Sequence, residues 1–246
     1  MQQAWRLHQS SRFAKLVNWS LVIDYGRFVN FVSTALPEIT DCLKRENYQT
    51  VLDGRPLLYL LNTKMDLSIV SSGINQLRRA CQEARVQNPY VVLMLSSPTR
   101  GVLAVTGADA VGAYEKAGPI PVAGTYAELV TIAENYWTTL SSTGQPIIPT
   151  AMTGWDTRPR QETPTPWSTN PRGPSGEERY FAPGTAEQIA AHVRDMESWI
   201  RKNPQSCPAQ TGVIYSWDEH DEGGSTLNPT LGGGDRILRA VGQYLE

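Results

Sequence analysis

The residues of this chain that are best suited to chemistry lie near its end, where four acidic side chains occupy five consecutive positions. They are Asp218, Glu219, Asp221 and Glu222. Glu219 and Glu222 are three residues apart, so a tight turn would bring both to the same point. Glycoside hydrolysis uses two carboxyl groups, one protonated and one ionised, and a close pair accompanies retention of configuration. The spacing therefore favours an acid/base pair acting on a glycosidic bond.

Two other interpretations of this acidic run stay open. The carboxylates could form a solvated turn that caps the following helix. Together with His220 they could instead bind a metal ion. However, the run has no second histidine at ligand spacing and does not match an EF-hand loop, so no metal site is predicted. We expect His220 to donate a hydrogen bond or to tune a neighbouring carboxyl group.

A second group of polar and aromatic residues lies in the segment Gly154–Arg160. Its members are Trp155, Asp156, Arg158 and Arg160. The planar guanidinium group of arginine can orient a carboxylate or form hydrogen bonds with sugar hydroxyls. The alternative is a proline-stiffened surface loop held by ion pairs.

The elements that position these residues follow a strand–helix alternation. Apolar runs predict six strands, at 16–23, 56–62, 90–96, 109–114, 146–152 and from Val213 to the acidic run. Helical periodicity predicts helices at 2–15, 26–44, 68–87, 100–106, 126–141, 185–202 and 235–245. This pattern predicts an α/β fold with a mainly parallel sheet. A closed barrel of this type needs eight strands.

Several local signals refine this organisation. We expect Pro37 to break or restart the helix at 26–44, because proline lacks a backbone donor. Thr185 and Gln188 form a capping-box pattern at the start of a helix. The stretch 47–55 reads as a loop with a turn at its Asp-Gly pair. The segment 153–183 is rich in proline and glycine and has no periodicity, which is typical of a functional or disordered loop.

The carboxyl ends of parallel strands share one rim of the sheet, where barrel enzymes gather their catalytic groups. Polar and aromatic residues at these ends predict a pocket for a polyhydroxylated ligand. The candidate binding residues are Asn62, Tyr114, Trp155, Asp156, Arg158, Arg160, Trp217, Asp218 and His220. For any single position, the alternative is that strand ends are polar simply because they lie near water.

Composition excludes other classes of protein. The 246 residues carry a formal charge of -2, which does not favour nucleic-acid binding. The three cysteines indicate neither a disulfide framework nor a zinc site. No apolar run is long enough to cross a membrane, and the first residues lack the apolar core of a signal peptide. For the chain as given we therefore predict a cytoplasmic protein; if it is a fragment of an exported protein, its location stays open. We also predict one domain over 1–246. No G-x-G-x-x-G motif supports a dinucleotide fold.

The acidic strand end also resembles a known family. The segment from Tyr215 to Gly224 is similar to the E-x-x-E strand end of family 99 glycoside hydrolases, whose typical form is Trp-Asn-Glu-x-x-Glu-Gly. It also resembles family-99-like proteins found with bacterial polysaccharide genes. The segments Gly154–Arg160 and Leu227–Thr230 resemble the same group. The resemblance begins near residue 16 and covers most of the chain from there.

The resemblance implies a (β/α)8 TIM barrel that hydrolyses α-linked glycans such as α-mannosides with retention, without a cofactor. Glu222 would be the general acid/base, and Glu219 would assist the sugar 2-hydroxyl as it attacks its own anomeric carbon. Asp218 departs from the pattern, which prefers asparagine. The two βα units that precede residue 16 in the family are also missing, so we expect a truncated barrel whose open edge associates with another copy.

Two further hypotheses about the function remain open. The chain could be a non-catalytic protein that binds glycans or acts as a scaffold in bacterial polysaccharide assembly. A biosynthetic glycosyltransferase is a weaker reading, since no sugar-nucleotide motif is present. The partner common to the first two hypotheses is an oligosaccharide or polysaccharide.

Overall fold

The computed structural model describes residues 2–61, 66–97, 99–163 and 177–244. The chain divides into two compact units, Met1–Val111 and Gly112–Glu246. The predicted binding residue Asn62 lies outside the described residues, as do residues 164–176 of the long segment. No helix among the described residues is long and apolar enough to cross a membrane.

The first unit is a mainly parallel sheet with helices. Its strands are β1 (Leu21–Asp24), β2 (Thr50–Val51), β3 (Arg55–Leu61), β4 (Tyr90–Met94) and β5 (Ala110–Gly112), whose last residue belongs to the second unit. The order is β1-β3-β4-β5, with β1–β3 and β3–β4 parallel. The short strand β2 pairs antiparallel with β3. Strand β4 is buried along its whole length, as continuous apolar runs in parallel sheets require.

The helices of the first unit are α1 (Gln2–Ser10), α2 (Tyr25–Leu43), α3 (Leu67–Glu83) and α4 (Val102–Thr106), with a 3-10 turn at Ala14–Leu16. Helix α2 continues through Pro37, so the predicted break is wrong. Proline removes one backbone hydrogen bond from a helix. The helix continues because Ile39 and Leu43, beyond the proline, are buried. Tertiary packing therefore outweighs the local cost.

The second unit also alternates strands and helices. Its elements are α5 (Tyr126–Ser141), β6 (Ile147–Ile148), β7 (Thr150–Met152), α6 (Pro159–Glu162), α7 (Ala186–Lys202), β8 (Val213–Tyr215) and α8 (Arg236–Gly242), with 3-10 turns at His220–Glu222 and Ser225–Leu227. Strands β7 and β8 are parallel. The predicted capping box at α7 is confirmed, because Thr185 and Gln188 each bond the other's backbone N–H. Thr125 and Glu128 form a second capping box at α5.

The six predicted strands all have counterparts in the described residues, with differences at their ends. Pro149 divides the predicted strand 146–152 into β6 and β7. The stretch 47–55, predicted as a loop, contains strand β2, which is too short to show alternation. The predicted turn is present there, with positive φ at Asp53 and Gly54. The long segment after β7 contains α6, and Asp156 forms an isolated bridge with Tyr180.

Candidate functional site

The candidate site is built on the ends of β7 and β8. Met152 pairs with Tyr215 where the two parallel strands end, so the segments that follow leave the sheet side by side. We call residues 153–163 the β7 loop and residues 216–227 the β8 loop. The backbone N–H of Thr153 donates to the carbonyl oxygen of Tyr215 at 2.7 Å. The Thr153 hydroxyl lies 2.8 Å from the carbonyl oxygens of Tyr215 and Gly224.

The two loops approach each other at backbone distance. The N–H of Asp156 donates to the carbonyl of Glu222 at 2.7 Å. A Cβ atom on Gly154 would lie 2.2 Å from the carbonyl oxygen of Gly223, and a Cβ on Gly223 would lie 2.7 Å from the nitrogen of Asp156. Gly223 also has a φ of 66°, which favours glycine. The glycine that follows the acidic run is therefore required by close packing of the two loops.

The carboxylates of Glu219 and Glu222 are each held by a tyrosine. The Tyr114 hydroxyl donates to Oε1 of Glu219 at 2.5 Å. The Tyr215 hydroxyl donates to Oε2 of Glu222. The rings of Tyr114 and Tyr215 pack edge to face with their centroids 5.5 Å apart. One pair of contacting aromatic rings thus holds both carboxylates of the predicted pair.

The electrostatics of the two phenols fit this donor role. Burial, and then the hydrogen bond to Glu222, raise the pKa of Tyr215 above its ordinary value. Burial and Glu219 do the same for the pKa of Tyr114. Both hydroxyls therefore keep their protons at neutral pH and donate to the carboxylates. Tyr215 was not among the predicted site residues, because the sequence shows it only as part of an apolar strand.

Arg160 lies at the same carboxylate as Tyr215. Its Nη2 is 2.5 Å from Oε1 of Glu222, and its Nε is 2.8 Å from Oδ2 of Asp221. The arginine residue is only 8% exposed. Arg160 thus reaches the acidic run from the β7 loop and contacts two of its four carboxylates.

Arg158 is held within its own loop. Its guanidinium group forms hydrogen bonds with both carboxylate oxygens of Asp156, at 2.7 to 3.1 Å. It lies 3.5 Å above the ring of Tyr180, and its Nη1 is 3.5 Å from Glu178. Asp156 and Arg158 therefore engage each other, as in the ion-paired loop that was the alternative interpretation of this segment.

The remaining predicted residues differ in exposure. The ring centroids of Trp155 and Tyr215 are 5.8 Å apart. The indole N–H of Trp155 is buried and has no hydrogen-bond partner among the described residues. Trp217 is 50% exposed. Asp218 and His220 are exposed on the β8 loop. The site therefore combines the buried Tyr215 and Arg160 and the partly buried Glu222 with the exposed ring of Trp217.

Glu115 is a further acidic residue that the prediction did not select. It follows Tyr114, is partly buried, and accepts a hydrogen bond from the N–H of Ala117 at 2.9 Å. Burial raises its pKa; the bond from Ala117 lowers it, and the charge of Glu222 raises it further. Its position at a strand end was visible in the sequence, but its burial was not.

Among the described residues, no group of three or more histidine, cysteine or acidic residues is arranged to hold a metal ion.

Two solved structures share this fold. Both are of a family 99 endo-α-mannosidase from Bacteroides thetaiotaomicron, one in complex with bis-tris-propane. The complex is 14% identical in sequence with a TM-score of 0.53, and the match covers 93% of this chain and 68% of that chain. The other structure is 15% identical with a TM-score of 0.55, and the match covers 93% of this chain and 64% of that chain.

At these identities the likeness is one of fold. It confirms the prediction of an α/β fold with a mainly parallel sheet, consistent with a partial (β/α)8 barrel. The chain spans about two thirds of the length of the two mannosidase chains, at 68% and 64%. No protein-family model matches the sequence, and a search of curated proteins finds no relative.

Proposed function

We propose that this protein is a family-99-like glycoside hydrolase that cleaves α-linked glycans, such as α-mannosides, with retention of configuration. The observation that carries the proposal is the pair of carboxylates held by contacting tyrosines: Tyr114 donates to Glu219, and Tyr215 donates to Glu222. Glycoside hydrolysis divides its chemistry between two carboxyl groups at the scissile bond. The fold shared with two endo-α-mannosidase structures supports the same class of substrate.

In this proposal the two carboxylates divide the proton transfers. Glu219 accepts the proton of the sugar 2-hydroxyl while that oxygen attacks the anomeric carbon. The bond to the leaving oxygen breaks, and this oxygen takes a proton from Glu222. Water then attacks the anomeric carbon of the resulting 1,2-anhydro sugar and gives a proton back to Glu222. The sugar 2-oxygen, as it leaves, recovers its proton from Glu219.

The exposed ring of Trp217 gives the bound sugar a surface to pack against, because aromatic rings contact the C–H faces of sugars. Asp218 and His220, exposed on the same loop, can form hydrogen bonds with sugar hydroxyls. Asp156 and Arg158 support the loop through their mutual ion pair.

Hydrolysis of α-mannoside oligosaccharides and bacterial polysaccharides, followed by product chromatography, tests the proposal. We expect turnover by the wild-type protein and a loss of about 100-fold or more in Glu219→Gln and Glu222→Gln, which is the usual size of an acid/base contribution. Glu83→Gln is the matched control, because Glu83 is an exposed carboxylate at the end of α3. Turnover that survives in both site variants would contradict the assignment.

A second candidate function is non-catalytic glycan binding, as in a scaffold for polysaccharide assembly. One observation favours it: both oxygens of the Glu222 carboxylate already have partners, Arg160 and Tyr215, within the protein. Calorimetry distinguishes the two functions. Measurable affinity for a glycan that the wild-type protein does not cleave would support binding alone.

A further inference from the structure

Arg160 was predicted as a substrate-binding residue, and in the structure its guanidinium group contacts two carboxylates of the protein. The side chain is 10% exposed, and its contacts run to the acidic run of the β8 loop. Nη2 contacts Glu222 and Nε contacts Asp221, so the guanidinium group is oriented at two points. A planar guanidinium group that is held at two points has a single orientation.

The Glu222 carboxylate is held at both of its oxygens. Its Oε2 accepts from Tyr215, while its Oε1 faces Arg160. Its side chain is 15% exposed, so solvent screens the arginine contact only weakly. The backbone of Glu222 is fixed too, since its carbonyl accepts from Asp156 at 2.7 Å.

We propose that Arg160 is a positioning residue that fixes the Glu222 carboxylate in its reactive orientation. This inference rests on the proposed function, because it assigns the proton transfer to Glu222. Arg160 acts through Glu222 and makes no contact with the sugar. Asp221 holds the other side of the guanidinium group, which gives it a supporting role.

The experiment compares kcat and KM in the wild-type protein, Arg160→Gln, Arg160→Lys and Asp221→Asn. In Arg160→Gln we expect kcat to fall about 10-fold or more with KM changed less than threefold, as for a residue that orients a proton-transfer group.

Arg160→Lys keeps the buried charge and so remains informative if Arg160→Gln does not fold. Lysine is a point charge without the guanidinium fork. We expect Arg160→Lys to recover part of the kcat that Arg160→Gln loses. Asp221→Asn should lower kcat less than Arg160→Gln does, because the contact with Glu222 remains. Circular dichroism confirms the fold of each variant before kinetics.

Three results would overturn the inference: a rise in KM alone, which indicates a substrate contact; a fall in kcat accompanied by an equal rise in KM, which indicates a structural role; or unchanged kinetics. If the wild-type protein cleaves no glycan, the proposed function has failed. Arg160 is then tested by carbon-13 NMR of the glutamate carboxyl groups. The Glu222 signal, assigned with Glu222→Gln, should change its chemical shift or broaden in Arg160→Gln, because the carboxylate is no longer held in one orientation, and an unchanged signal would refute the inference.

Discussion

Acidification from neutral pH to about pH 4 should destabilise the second unit through one buried histidine. His192 on α7 is 2% exposed and stacks parallel to Trp137, with the ring centroids 5.4 Å apart. Neither ring nitrogen has a hydrogen-bond partner among the described residues. Burial lowers its pKa to about 4, against an opposing effect of the Asp195 charge. Oε1 of Glu134 lies 3.4 Å from Nδ1, but that side chain is 40% exposed, so solvent screens its charge and burial dominates.

The sign and size of the effect follow from proton linkage. The folded pKa of about 4 lies below the ordinary histidine value of 6.5, so the unfolded chain binds the proton first. Stability is complete above pH 6.5 and is lost as the pH falls from 6.5 towards 4. A gap of about 2.5 pKa units at 1.36 kcal/mol each corresponds to about 3 kcal/mol of unfolding free energy.

Urea unfolding between pH 7 and pH 4 measures this difference. His192→Phe keeps an aromatic ring against Trp137 and removes the titrating group, so the wild-type protein should lose about 3 kcal/mol more than the variant over this range. His220→Gln is the matched control, since His220 is an exposed histidine outside the contact between α5 and α7. Parallel pH dependence in the wild-type protein and His192→Phe would refute the reasoning.

Two further predictions concern packing and association. Gly154→Ala should destabilise the protein by about 2 kcal/mol or more, because the new Cβ would lie 2.2 Å from the carbonyl oxygen of Gly223. Urea unfolding checks this, with Gly232→Ala as the control at a glycine that has open space around it; equal midpoints would contradict it. We also expect self-association at micromolar concentration, since Leu16, which precedes strand β1, and Val22, which lies within it, are 77% and 37% exposed. Size-exclusion chromatography with light scattering should detect it, and a monomer that stays unchanged over this range would contradict it.

The fold could be predicted well because its signals are local and periodic. The continuous apolar run of β4 and the capping box of Thr185 and Gln188 both depend on neighbouring residues, and both appear as expected. The prediction failed where distant packing decided the outcome. Helix α2 passes through Pro37 because buried residues follow it, and β2 exists because β3 lies beside it.

The candidate site was predictable in location but less so in detail. The sequence placed Glu219 and Glu222 at a strand end, and the structure finds them there. It could not show that Tyr215 holds Glu222, because a buried tyrosine in an apolar strand gives no sign of its partner. It also could not separate Arg158, which pairs with its neighbour Asp156, from Arg160, which crosses to the other loop. Both are arginines two residues apart, and only three-dimensional packing distinguishes them.

The contact between Gly154 and Gly223 has a consequence for engineering and for divergence. Since the main chains of the β7 and β8 loops touch there and the Asp156 N–H bonds the Glu222 carbonyl, neither loop can change its length or path alone without displacing Glu222. A graft that aims to alter which glycan is accepted should therefore exchange both loops as one cassette. Homologues that differ in one loop are expected to carry a compensating difference in the other.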